Sequence, residues 1–252
     1  DPDHRQAALV ISCELLRLYY ALGQASQSTF LLAAVGQHRP DPATLPKALA
    51  VPLMFLWGKH CVLDGKVVEA DQRLGWALAN CPPSASDSRR RILQFLVPCR
   101  LRSGRFPSRH TLRRHNLECY AGIAAATSSG DVRLFNKEVE RHERLLISVG
   151  TYLVVEKLKL LAYQRLCRRV HDSLAADLEA GGRAQHKHKH ELRFYEQIFA
   201  WQDDCDADEA ICIMANLIAI GAIKAYMSDE HRKVVFSKDV PFPPAATWCP
   251  KA

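Results

Sequence analysis

LRFYEQIFAWQDDCDADEAICIMANLIAIGAIKAYMSDEHRKVVF, residues 192–236, changes its period part-way along. Leu192 to Trp201 and Asp206 to Ile220 carry apolar residues at helical spacing, and Gly221 stops the second helix. Beyond it Ile223, Ala225 and Met227 alternate with Lys224 and Tyr226. A turn at Ser228-Asp229-Glu230 leads into Val234-Val235-Phe236, and two alternating runs around a turn predict a hairpin. Upstream, Thr151 to Leu174 reads as one long helix, with Val155, Leu158, Ala162, Leu166 and Val170 on one side and Lys157, Gln164, Arg168 and His171 on another. AADLEAGGRAQHKHKHE, residues 175–191, reads as a glycine- and histidine-rich linker. Three helices and then a hairpin is the order of a winged helix.

The first 150 residues read as consecutive helices. Ala8 to Leu22 is apolar at helical spacing (Leu9, Leu15, Leu16, Tyr19), a second segment starts at Phe30, and QHRPDPATLP, residues 37–46, is a loop. Leu49 to Leu63 and Lys66 to Cys81 follow, Pro82-Pro83 breaks the chain, and a helix capped by Ser86 or Asp87 runs to Arg102 with a bend expected at Pro98. A glycine, one residue and an apolar residue recur between helices at Gly65-Lys66-Val67, Gly104-Arg105-Phe106 and Gly130-Asp131-Val132. Glycine there supplies the left-handed residue that ends one helix, and the apolar residue anchors the next. Val67, Ala70, Leu74, Ala77 and Leu78 fall on one face, as in the second helix of a tetratricopeptide-type pair. The expected fold is mainly α: a TPR-like helical-repeat solenoid over residues 1–150, a winged-helix part over 151–244 and a tail over 245–252.

Composition narrows the function classes. With 48% hydrophobic and 24% charged residues in 252, the chain has the balance of a soluble globular protein. No window holds the roughly 18 uncharged apolar residues of a membrane span, and DPDHRQAALVISCELLRLYY lacks the basic start of a secretory signal. Nine cysteines, at 13, 61, 81, 99, 119, 167, 205, 212 and 249, form no CxxC pair and no zinc-knuckle spacing. They read as reduced, mostly buried thiols of the cytoplasm or nucleus. No GxSxG, GxxxxGK[ST], HExxH or GxGxxG motif is present, so no catalysis and no cofactor is expected. His186, His188 and His190 alternate and would face one side if extended, which suits a metal; the competing reading is a mobile polar linker, and no metal is expected.

The net charge of +7 is concentrated. Ser88 to Asn116 holds nine arginines and no acid, so it contributes +9 and the remainder 7 − 9 = −2. Arg91, Arg100, Arg102, Arg105, Arg109, Arg113 and Arg114 are candidates for a basic surface, facing nucleic acid or an acidic partner, or else paired within the fold. Arg91, Arg102 and Arg105 share a sector of about 60° if the helix is continuous, which Pro98 and Gly104 oppose. Within the winged helix, Asp203, Asp204, Asp206, Asp208 and Glu209 surround the start of the third helix, with Asp206 and Glu209 spaced as a capping box. Those carboxylates would meet phosphate, so major-groove reading by that helix is not expected. The wing is the better candidate: Lys224, His231, Arg232, Lys233 and Lys238 cluster with Tyr226 and Phe236, charge for phosphates and rings for unstacked bases, unless Phe236 packs in the core. Trp57, Trp76 and Trp201 read as core; Trp248, in a proline-rich end, covers a partner or the wing.

YLVVEKLKLLAYQRLCRRV (152–170) and DADEAICIMANLIAIGAIKAYMSDEHRKVVFSKDVPFPP (206–244), with RRRILQFLVPCRLRSGRFPS (89–108) and SSGDVRLFNKEVERHERLLISVGTYLVVEKLKL (128–160), resemble the PCI-domain family. The resemblance runs through most of residues 50–244. It points to the PCI subunit of the nuclear-pore-associated transcription-export (second TREX) complex, with the signalosome-associated PCI paralogue as a close relative. It implies a nuclear, pore-associated, non-catalytic scaffold with a Sac/GANP-type PCI partner, a small acidic Sem/DSS-type partner, and non-sequence-specific contact with RNA or single-stranded nucleic acid across the winged helices. The alternatives are a scaffold of a signalosome or proteasome-lid-like complex without a nucleic-acid role, and a hydrolase in an unfamiliar helical fold.

Overall fold

The structure is a computed structural model that describes residues 2–37, 40–228 and 230–249, so His38 and Arg39 of the expected loop, Asp229 of the expected turn and the last three residues of the tail lie outside the described residues. The chain is mainly helical, and no helix of the described residues is long and apolar enough to cross a membrane. It divides into two units, Asp1–Arg100 with His110–Leu117, and Leu101–Arg109 with Glu118–Ala252.

The first unit is built from α1 (Pro2–Ala21), α2 (Ala25–Gln37), α3 (Lys47–Leu63), α4 (Val67–Asn80) and most of α5 (Ser86–Arg102), followed by most of the short α6 (Arg109–Arg114). Between α3 and α4 the chain reverses at Gly65, whose φ of +74° is the left-handed conformation that its sequence context predicts. The two helices then press together. A side chain at Gly58 of α3 would meet the Leu74 side chain of α4 at 2.6 Å, and Leu74, Ala70 and Ala77 are fully buried. Burying a leucine of this kind stabilises the fold by about 1.5–3 kcal/mol. Phe55 of α3 meets Phe95 of α5 edge-to-face, ring centroids 6.0 Å apart. α5 runs through Pro98 without interruption and ends at Arg102, where Gly104, at φ +76°, turns the chain.

The second unit opens with α7 (Cys119–Ser129) and α8 (Val132–Val149), joined at Gly130. That residue has φ +74°, and a Cβ there would lie 2.5 Å from the Leu166 backbone nitrogen, so only glycine allows the turn to rest on the next helix. Asp131 caps α8 by accepting from the Leu134 N–H at 2.8 Å. The single helix expected from Thr151 to Leu174 is two: α9 (Tyr152–Glu156) and α10 (Leu158–Ala180). Lys157 between them keeps helical dihedrals, φ −63° and ψ −14°, and so Val154, Val155, Leu158, Leu161 and Ala162 are all buried.

Residues 175–191 are not a linker. Their first six residues complete α10, a turn of 3-10 helix spans Ala184–His186, and β1 (Lys189–Glu191) leads into α11 (Leu192–Asp203) and α12 (Ala207–Ala219). The expected hairpin forms as β2 (Ala225–Ser228) and β3 (Lys233–Phe236), and β1 adds to it, giving an antiparallel sheet of order β1-β3-β2. The strand exists because His190 has a place inside: its Nε2 donates to the Lys187 carbonyl at 2.9 Å, which leaves Nδ1 to accept from the Tyr195 hydroxyl at 2.9 Å. The tail ends in α13 (Ala245–Trp248), and Trp248 is buried in the core of this unit with Leu192, Tyr195 and Phe236. Trp201 departs from expectation in the opposite direction, 61% exposed beneath the Arg133 guanidinium. Of the nine thiols, none in a disulfide, seven are buried, Cys119 is half-buried and Cys212 exposed.

Candidate nucleic-acid interface

Alternation gives the sheet two faces. His190 pairs with Val234 and Val234 with Met227, and Val234 and His190 are buried. One residue along, Lys189, Val235 and Tyr226 line up across all three strands on the other face. Tyr226 is 70% exposed and Val235 39%. Phe236 takes the inner side, 2% exposed, with its ring 4.8 Å from His171, 5.4 Å from His190 and 5.5 Å from Phe242. It belongs to the core and cannot stack on a base, so Tyr226 alone of the two rings is presented to solvent.

The charges expected on the wing are carried by this one substructure. Lys224 is exposed just before β2, its N–H donating to the Pro241 carbonyl at 2.8 Å. His231 and Arg232 are exposed in the turn, Lys233 is half-buried at the start of β3, and Lys238 is exposed just after it. Arg232 is the constrained member. Its φ of +49° costs a non-glycine residue on the order of 1 kcal/mol. The conformation is held by its carbonyl, which accepts from the Leu192 N–H at 2.9 Å, and by its guanidinium, 2.7 Å from Glu196 of α11. Part of its charge is therefore neutralised within the fold.

At the start of α12 the capping box is present in full: Asp206 accepts from the Glu209 N–H at 2.8 Å and Glu209 from the Asp206 N–H at 3.1 Å. Asp203, at the end of α11, is a structural acid. Burial works to raise its pKa, but hydrogen bonds from Lys159 at 2.8 Å, from Tyr163 and from Asn136 outweigh that and hold it below the usual carboxylate range. Asp203, Asp206 and Glu209 thus cap and tether helices.

The arginine-rich stretch is less uniform than its sequence. Arg102 is not on a surface: it is 2% exposed and donates to the Cys249 carbonyl at 2.5 Å. Arg100 is half-buried and pairs with Asp71 at 3.2 Å, and Arg89 donates to the Leu78 and Cys81 carbonyls at the end of α4. Arg91, Arg105, Arg109, Arg113 and Arg114 are exposed. Because α5 stops at Arg102 and Gly104 turns the chain, Arg105 does not continue the sector of Arg91 and Arg102. Arg91, Arg100, Arg113 and Arg114 belong to the first unit and Arg102, Arg105 and Arg109 to the second.

His186, His188 and His190 do not converge. His186 is exposed, His188 half-buried, and both nitrogens of His190 are engaged. The partner of His190 is instead His171, ring centroids 5.0 Å apart, a residue whose sequence position suggested the polar side of its helix. Gln164, seven residues earlier on the same helix, is buried too, and its amide donates to the Ala222 carbonyl at 2.7 Å and the Pro243 carbonyl at 2.8 Å. Together they clamp both ends of the hairpin segment to α10. The spacing Gln164, Cys167, His171 was the available signal: a polar pair sharing a helix face with a buried cysteine.

No protein-family model matches the chain. It is 34% identical over 241 residues to Enhanced ethylene response protein 5 of Arabidopsis thaliana, covering 95% of this chain and 57% of that protein. It is 31% identical over 244 residues to PCI domain-containing protein 2 of Xenopus laevis, 94% of this chain and 57% of the relative. At greater distance it is 26% identical over 239 residues to Protein CSN12 homolog of Neurospora crassa, 91% of this chain and 53% of the relative. The chain spans little more than half the length of these curated relatives. The similarity runs over nearly the whole of this mainly helical chain, and the Xenopus relative is one named for its PCI domain.

Proposed function

We propose that this chain is the non-catalytic PCI scaffold of a nuclear, transcription-coupled mRNA-export complex at the pore, a helical-repeat solenoid over residues 1–150 followed by a winged helix over 151–244. In this reading it docks a Sac/GANP-type PCI protein and a small acidic Sem/DSS-type protein, and its wing contacts RNA or single-stranded DNA without sequence preference. The order α10, β1, α11, α12, β2, β3 supports the winged helix. One observation carries the nucleic-acid role: a sheet buried on one face presents Lys189, Val235 and Tyr226 in a row on the other, beside Lys224, His231, Arg232, Lys233 and Lys238. Cations bind phosphates and release counterions, while an exposed tyrosine stacks on any base. Of the arginine stretch, the exposed Arg91, Arg113 and Arg114 of the first unit and, separately, Arg105 and Arg109 of the second are in this reading the charges offered to the acidic partner.

The test is electrophoretic binding of a single-stranded RNA to the assembled complex at two stated salt concentrations. R232E/K233E should weaken binding about tenfold and flatten the salt dependence by about two counterions. Unchanged affinity removes the wing from the site. A second reading, a signalosome-type scaffold without a nucleic-acid role, is set beside the 26% identity to Protein CSN12 homolog of Neurospora crassa; it predicts no RNA binding by the complex at either salt concentration.

A further inference from the structure

A groove in the second unit lies between α8 and the pair α9–α10, around a cavity of about 320 Å³. The helices set its walls. Asn136, Val139, Glu140 and Glu143 recur at i, i+3, i+4 and i+7 along α8, and Tyr152, Glu156 and Lys159 at i, i+4 and i+7 along the other side. Phe135, Val139 and Tyr152 supply apolar and aromatic lining, and Glu140, Glu143 and Glu156 are exposed at the rim. The cationic lining residue, Lys159, is engaged by Asp203 at 2.8 Å. Among the described residues, no cation pairs with any of the three glutamates.

At one end of the groove stands an anchor. Arg133 lies one turn before Asn136 on α8, and its guanidinium stacks 4.9 Å from the ring centre of Trp201, leaving that indole 61% exposed. The same end is fixed by Asn136 and Lys159, which both reach Asp203 on α11. An exposed tryptophan on a rigid support is the kind of side chain that dominates binding energy at protein interfaces.

We infer that this groove docks a partner-protein segment carrying arginine beside an apolar residue. The guanidinium sits among Glu140, Glu143 and Glu156, within reach of the Tyr152 ring, and the apolar residue covers Trp201. Charge complementarity selects the occupant: with Lys159 engaged by Asp203, Glu140 and Glu143 on α8 and Glu156 on α9 leave the rim acidic, and a cation gains from that field. Aromatic lining favours a flat cation that also gains from ring faces. Among the described residues no three acids converge as metal ligands do, which favours a guanidinium over a divalent ion. The acidic partner proposed above has the wrong charge for this groove, so the inference stands apart from that reading.

The test is a methyl and amide NMR titration of the whole chain with two synthetic peptides, Ac-GLRLRG-NH2 and Ac-GLELEG-NH2. The arginine peptide should shift Val139, Tyr152 and the Trp201 indole N–H, and the glutamate peptide should not. E140K/E156K should weaken the arginine peptide about tenfold, and W201A about threefold, with thermal unfolding of each variant checked; E140Q/E156Q serves as the milder pair. Equal shifts from both peptides, shifts that survive E140K/E156K and E140Q/E156Q, no shifts at these residues, or displacement of the peptide by millimolar Mg2+ would each overturn the proposal.

Discussion

Residues 88–116 and residues 224–238 are both basic runs, and the structure treats them in opposite ways. The arginine stretch is dispersed. Arg102 goes to the interior, Arg100 to Asp71, Arg89 to the end of α4, and the rest are shared between two units. The hairpin keeps its charges together because its turn and its paired strand ends carry them: His231 and Arg232 lie in the turn, Lys233 opens β3, and Lys224 and Lys238 flank the paired ends. Counting charge along a chain therefore overstates a surface where the backbone is helical and interrupted, and estimates it better where a short hairpin holds the run in one place.

The contrast can be broken from either side. The largest effect is expected at the dispersed run: Arg102→Ala leaves the Cys249 carbonyl without its charged donor inside the core and should cost about 3 kcal/mol in urea unfolding followed by tryptophan fluorescence. A loss below about 0.5 kcal/mol would return Arg102 to the surface class.

Acidification should loosen the sheet from beneath. Burial pushes the His190 pKa down from 6.5 to about 4, with the neighbouring rings of His171 and His188 adding to the depression against the Lys187 carbonyl. His188 is shifted in the same direction, first by burial and then by His171, Lys187 and Lys238. An unfolded chain takes up these protons more readily than the folded one. The His190 contribution is thus complete above pH 6.5 and is lost as pH falls toward about 4, roughly 3 kcal/mol in all. Urea midpoints between pH 7 and 4 measure it, and H190Q should flatten the slope over that window. A variant as steep as the parent would place the titrating group elsewhere.

Tyr226→Ala should weaken single-stranded RNA binding by the assembled complex by about 1–2 kcal/mol with the salt dependence preserved, since it removes a stacking face and no charge. A change in salt slope instead would mean that Tyr226 positions the lysines. The smallest effect is Arg114→Ala, within about 0.5 kcal/mol on stability by thermal unfolding, because its side chain is exposed on a short helix.

What the residues disclosed in advance was local. Gly65, Gly104 and Gly130 were readable as left-handed turns because positive φ is a single-residue requirement, and the Asp206–Glu209 capping box because it is settled within four residues. Burial that depends on distant chain was not readable. Arg102 meets a carbonyl 147 residues away, and β1 exists only once β3 pairs with it, which is why KHKH read as a linker. His171 and Gln164 looked like a solvated stripe because their acceptors and ring partners lie in β3, at Ala222 and at Pro243. Trp201 failed for the converse reason: its spacing is that of a core residue, yet it is left 61% exposed beneath the Arg133 guanidinium.

Photo-crosslinking of a 4-thiouridine-substituted RNA to the assembled complex, with peptide mapping of the adducts, asks most directly whether the open face of the sheet touches nucleic acid. Adducts within residues 224–238, centred on Tyr226 and lost together with R232E/K233E, are the predicted result. Adducts confined to residues 88–116, or a fully assembled complex that yields none on this chain, would contradict it.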